Sequence, residues 1–135
     1  MSHAIERLNP STLPNAAEIG YSQISIVEPG RMAFISGQVA ISPDGAPIPD
    51  DVAEQMKLAA KNARAALEAV GATFADVAMA RIYMVDLTPE RLEEAMPEFL
   101  AAFNGVQPSL TGVGVAALAA PGLQVEMELT VRLPG

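Results

Sequence analysis

A helical stripe in the middle of the chain limits its possible folds more than any other feature. Val52, Met56, Ala59 and Ala60, Ala63, Leu67 and Val70 recur every three or four residues, and Gly71 ends the series. Asp50 or Asp51 stands where a helix cap belongs. Glu54, Lys57, Lys61, Arg64 and Glu68 gather on the opposite side, the pattern of a solvated face. A helix with one apolar side must lie on an apolar surface, and the last strand supplies one. From Val125 to Arg132 the residues alternate, with Val125, Met127, Leu129 and Val131 on one face and Glu126, Glu128, Thr130 and Arg132 on the other.

The rest of the chain fills in a helix-on-sheet plan. Ile5 begins a lead-in strand, and the prolines at 10 and 14 make the following segment a loop. Tyr21–Val27 alternates as a half-buried strand, Pro29-Gly30 turns, and Arg31–Ile41 forms a second strand, so a hairpin is expected. Gly37 interrupts that second strand, which marks a bulge or a close approach to the backbone. Val77–Leu87 reads as a strand whose Ala80, Ile82 and Met84 oppose Met79, Arg81, Tyr83 and Val85. Thr88-Pro89 opens a second helical segment. Because proline breaks helix interiors, Pro97 splits it into a turn over Pro89–Met96 and a helix over Pro97–Phe103. Thr111–Val115 is a small-residue strand. The order predicts an α+β fold, one domain over residues 1–135, with two helices covering one face of the sheet. The other face is amphipathic, so a homo-oligomer is expected to cover it.

Composition removes several kinds of chemistry. The 135 residues carry 8 Lys+Arg against 16 Asp+Glu, a formal charge of −8, with 4% aromatic residues and no Trp. Phosphate neutralisation supplies most nucleic-acid affinity, so a nucleic-acid partner is disfavoured. No cysteine is present, which excludes thiolate nucleophiles and sulfur-based zinc sites. The one histidine, His3, sits at the terminus and reads as a solvated residue. No metal site, cofactor motif or apolar run of membrane-spanning length is found, and the start lacks a signal peptide, so a cytoplasmic location is expected.

Gly20-Tyr21-Ser22-Gln23, Phe34-Ile35-Ser36-Gly37-Gln38, Gln55 with Asn62, Asp86-Leu87 and Val125-Glu126-Met127-Glu128 together resemble the Rid superfamily, also called YjgF or L-PSP. The resemblance runs in order along nearly the whole chain. It implies a chorismate-mutase-like subunit assembled as a trimer, with small-molecule clefts between subunits. For the RidA branch it implies hydrolysis of reactive enamines and imines to 2-oxo acids and ammonia. In that branch a Pro-Ala-Arg-Ser/Thr stretch binds the substrate carboxylate through its arginine. The matching stretch here is Pro108-Ser109-Leu110-Thr111, so Leu110 stands in the arginine's place. Pro97 corresponds to the family's asparagine at the second helix.

The resemblance assigns Glu126 as the catalytic candidate that orients water, and Tyr21, Ser36, the Gly37 backbone, Leu110, Thr111 and Pro97 as ligand-binding candidates. Arg81 shares a strand face with Tyr83 and is a further candidate, either as a substitute cation or as the ion-pair partner of Glu126 or Glu128. Gln55 and Asn62 are expected on the helix surface or at an interface. Loss of the arginine should make amino-acid imines poor substrates and favour neutral ligands. A non-catalytic ligand-binding trimer is the alternative, and an endoribonuclease is the weakest of the three.

Overall fold

The computed structural model describes residues 4–135, so His3 lies outside the described residues. Its elements are β1 (Ile5–Leu8), β2 (Ile24–Val27), β3 (Met32–Val39), α1 (Val52–Ala69), β4 (Val77–Val85), α2 (Pro89–Phe103), β5 (Ser109–Val115) and β6 (Val125–Arg132). Strands β3-β6-β4-β5 form a mixed sheet in that order, antiparallel except for the β4–β5 pair, while β1 and β2 form a separate antiparallel ribbon.

The stripe on α1 forms as its spacing requires. Asp51 caps the helix by accepting from the Glu54 N–H at 3.0 Å, and Gly71 follows its end at φ +72°. Met56, Ala63 and Leu67 pack with Ala95, Phe99 and Phe103 of α2 over Val125, Met127, Leu129 and Val131 of β6. Those four β6 side chains are no more than 1% exposed, and burying each contributes about 1.5–3 kcal/mol. Both helices therefore cover one sheet face. Strand alternation leaves Glu126, Glu128 and Thr130 on the other face, with Arg81 and Tyr83 of β4 beside them.

Two expectations are corrected. First, β2 and β3 do not form a hairpin: β2 pairs with β1, and β3 pairs with β6. Pro29-Gly30 instead carries the chain from the ribbon to the sheet, and the Arg132 guanidinium donates to the carbonyls of Glu28 and Pro29 at 2.9 and 2.8 Å. Second, Pro97 does not break the second helix, which runs unbroken from Pro89 to Phe103. The Thr88 hydroxyl caps its start by accepting from Arg91 N–H, and Ala95, Phe99 and Phe103 anchor its apolar side. Pro97 faces solvent, so the helix loses one hydrogen bond there without losing packing.

The ribbon is tied to the sheet by polar groups. Ser25 Oγ donates to Ala78 O at 2.9 Å and lies 2.7 Å from Ser109 Oγ, and Arg7 donates to Val77 O at 2.9 Å. Desolvation lowers the Arg7 pKa, with the Asp76 charge opposing that shift.

Candidate functional site

The interruption at Gly37 is a β-bulge. Ile35 pairs with Leu129 and Gln38 with Met127, so Ser36 and Gly37 together oppose Glu128 alone. The bulge brings the backbone against the next acidic side chain. A methyl group built on Gly37 would stand 2.6 Å from Glu126 Cγ and closer still to the carboxyl group. The Glu126 carboxylate therefore lies directly over Gly37, in space that only a residue without Cβ leaves open.

Beside it is a second polar group. Tyr83 OH donates to Glu128 Oε1 at 2.8 Å, and Arg81 Nη1 lies 3.9 Å from the same oxygen. The Arg81 and Glu128 side chains are 43% and 39% exposed, so this is a loose pair in high dielectric and stabilises little. The hydrogen bond to Glu128, then desolvation and the nearby carboxylates, raise the Tyr83 pKa above its ordinary value against the smaller opposing effect of Arg81. Arg81, Glu128, Ser36, Thr130 and Phe34 line a shallow depression of about 350 Å³. Phe34 is 78% exposed there, a large apolar ring beside charged and polar groups.

The candidates fall into separate groups within one subunit. Glu126, Gly37, Ser36 and Arg81 share the face opposite the helices, and Thr111 joins them as the register partner of Arg81. Arg81 is engaged with Glu128, matching the ion-pair option. Leu110 is the register partner of the buried Ala80 and packs against the core, on the helix side of the sheet. Tyr21 lies half-buried beside it: its neighbour Ser22 forms a parallel bridge with Ser109 and donates from Oγ to Gln107 O at 2.6 Å. Pro97 is on the solvent side of α2, across the sheet from Glu126. Tyr21, Leu110 and Pro97 thus do not converge on Glu126 within this subunit.

Gln55 is not on the helix surface, and Asn62 is half-buried. Gln55 is 0% exposed, donates to Pro49 O and Gly122 O at 2.8 and 2.9 Å, and accepts from Gln124 N–H at 2.8 Å. Asn62 donates to Val39 O and Ile41 O at 3.0 and 2.9 Å. Their spacing held the signal: Gln55 lies three residues after Val52 and four before Ala59, inside the apolar stripe, and Asn62 lies seven after Gln55. Among the described residues no helix is long and apolar enough to cross a membrane, and no cluster of three or more His, Asp or Glu could hold a metal ion.

Comparison with known proteins fits this architecture. The chain is 36% identical over 120 residues to the RutC family protein YjgH of Escherichia coli K12, covering 87% of this chain and 86% of that one. It is 30% identical over 129 residues to the 2-iminobutanoate/2-iminopropanoate deaminase of Rattus norvegicus, covering 95% and 90%. The crystal structure of the Rid-family protein YyfB from Yersinia pestis, a protein of unknown function, superposes with a TM-score of 0.90 at 32% identity, covering 96% of this chain and 99% of that one. The family model described as Endoribonuclease L-PSP matches residues 12–133. With this match and the YjgF/L-PSP fold both present, the chain belongs to the Rid (YjgF, L-PSP) family.

Proposed function

We propose that the protein is a homotrimer that hydrolyses an imine or enamine lacking a carboxylate, in clefts formed where the Glu126 face of one subunit meets the Tyr21–Leu110 edge of the next. The observation that carries this reading is the seating of the Glu126 carboxylate over the Gly37 bulge on a sheet face left uncovered by the helices. Relatives named as reactive intermediate deaminases and as 2-iminobutanoate/2-iminopropanoate deaminase support the reaction class.

Glu126 accepts a proton from a bound water as the water oxygen bonds to the imine carbon. The nitrogen takes up protons, the C–N bond breaks, and the products are a carbonyl compound and ammonia. Ser36 and the bulged backbone offer polar groups to the developing charge. Leu110 brings no charge to the cleft, and the protein's −8 charge repels anions, so a substrate without a carboxylate suits the site better than an amino-acid imine.

The test is ammonia release from two imines generated in place, one by an amine oxidase and one by an amino-acid oxidase. Turnover of the first above background, lowered about 100-fold in Glu126→Gln but still measurable, while sedimentation still finds three copies of the 14.1 kDa chain, is the expected result. A higher rate on the carboxylate-bearing imine would overturn the substrate assignment. Ligand binding to the cleft without turnover of either would favour a binding module.

A further inference from the structure

The two α1 amides have a place in the site although neither touches it. Gln55 and Asn62 stand seven residues apart, two turns along one helix face; Asn62 reaches the end of β3, and Gln55 the segment that leads into β6, the two strands that bring Gly37 and Glu126 together. Asn62 holds the carbonyls of Val39 and Ile41, and Val39 is the register partner of Glu126, two residues after Gly37. Gln55 holds Gly122 O and Gln124 N–H, the segment that leads into Glu126.

The Gln124 side chain extends the second anchor. Its Nε2 donates to Asp50 O at 2.6 Å, and its Oε1 accepts from Arg91 Nη2 at 2.8 Å. Arg91 also donates to Val85 O at 3.3 Å, and Val85 N–H donates to Gln124 O at 2.9 Å. The start of β6 is thereby fixed to α1, to the first turn of α2 and to the end of β4. A buried amide with all its bonds made has one geometry, because any shift would leave a polar group unpaired away from water.

We infer that Gln55 and Asn62 are positioning residues that set the approach of Glu126 to the Gly37 backbone: two amides on one rigid helix fix the two strand ends whose separation defines that contact. This rests on the reading of Glu126 as the water-orienting carboxylate. The side chains act through the backbone, since the helix and the carboxylate lie on opposite faces of the sheet. Without them the ends of β3 and β6 can slide relative to each other, and the carboxylate loses its seat.

The experiment compares Gln55→Met, which keeps the volume and removes all three bonds, and Asn62→Ala, which removes two, each in the full chain with and without Glu126→Gln. The kcat for imine hydrolysis should fall about 10-fold in each single variant, with KM changed less than about twofold. No further fall should occur in the Glu126→Gln background. In parallel, the NMR nuclear Overhauser contact between Gly37 Hα and Glu126 Hγ, expected because that side chain lies over Gly37, should weaken in both variants. An equal loss of kcat in both backgrounds, or an unchanged Gly37–Glu126 contact in a folded variant, overturns the inference. If the wild-type chain turns over no imine, the proposed reaction fails while the Gly37–Glu126 contact still decides the positioning role. If Gln55→Met does not fold, Asn62→Ala, at a half-buried site, carries the same test.

Discussion

Replacing Gly37 with alanine separates the stability of the sheet from the chemistry of the site. The added methyl would stand 2.6 Å from Glu126 Cγ, whereas carbon atoms rest about 3.5–4.0 Å apart, so the glutamate side chain must retreat by about 1 Å. A displacement of that size at a reacting group lowers the rate by about 100-fold, or about 2.7 kcal/mol of transition-state stabilisation. The fold has little reason to suffer. Gly37 does not have positive φ, and the atoms in the way belong to a flexible, half-buried side chain rather than to the core. Losing glycine also restricts the unfolded chain, a stabilising effect of about 0.4–1 kcal/mol. Gly37→Ala should therefore melt at or slightly above the wild-type temperature in calorimetry, while kcat/KM for ammonia release drops about 100-fold. In a Glu126→Gln background the same change should cost no further activity. Wild-type turnover by a folded Gly37→Ala protein would show that the seating of Glu126 over the bulge has no part in the reaction.

Three other outcomes are expected. Leu110→Arg should raise kcat/KM for a carboxylate-bearing imine at least about tenfold, since a charge-assisted clamp contributes about 2–5 kcal/mol, and should lower the melting temperature because Leu110 leaves its core contacts; an unchanged rate would refute the assignment of that position to the cleft. Pro97→Ala should stabilise the chain by about 1–3 kcal/mol in urea unfolding, because it restores an N–H to the interior of α2 at a solvent-facing site. In a Tyr21→Phe protein, followed by tyrosinate absorbance, Tyr83 should ionise above the ordinary tyrosine range, and Glu128→Gln should bring it down. The sign for stability follows from proton count. Between the unfolded and folded pKa values the native state holds the extra proton, so the contribution is complete below the unfolded pKa and is lost as pH rises through the folded one.

Periodicity carried much of the architecture into the sequence. The α1 stripe, the alternation of β4 and β6 and the bulge at Gly37 are local patterns, and local patterns survive in a linear string. The hairpin between β2 and β3 was lost for the opposite reason. Its turn residues suit a hairpin, but the partner of β3 is β6, whose first residue, Val125, lies 86 residues after Val39, and no neighbouring residue reports that pairing. Propensity alone sets Pro97 against a continuous helix, and the packing of Ala95, Phe99 and Phe103 overrides it. Glu126 and Gly37 were both visible as residues, but their contact depends on a register shift that brings a backbone and a side chain from opposite ends of the chain together. Gln55 and Asn62 stand out in the sequence, yet their hydrogen bonds go to carbonyls of distant segments whose positions only the folded chain defines.

The exposed ring of Phe34 bears on how this protein behaves when dilute. It stands on β3, an edge of the four-stranded sheet, with Met32 of the same strand also exposed. If a second copy covers that edge, folding and association are linked, and the melting temperature rises with protein concentration. A lone subunit would instead present an apolar strand edge to any other chain in the same state, the arrangement from which aggregation starts. Handling the protein at nanomolar concentration, as sensitive enzyme assays do, would then lower its specific activity through dissociation before any substrate is added.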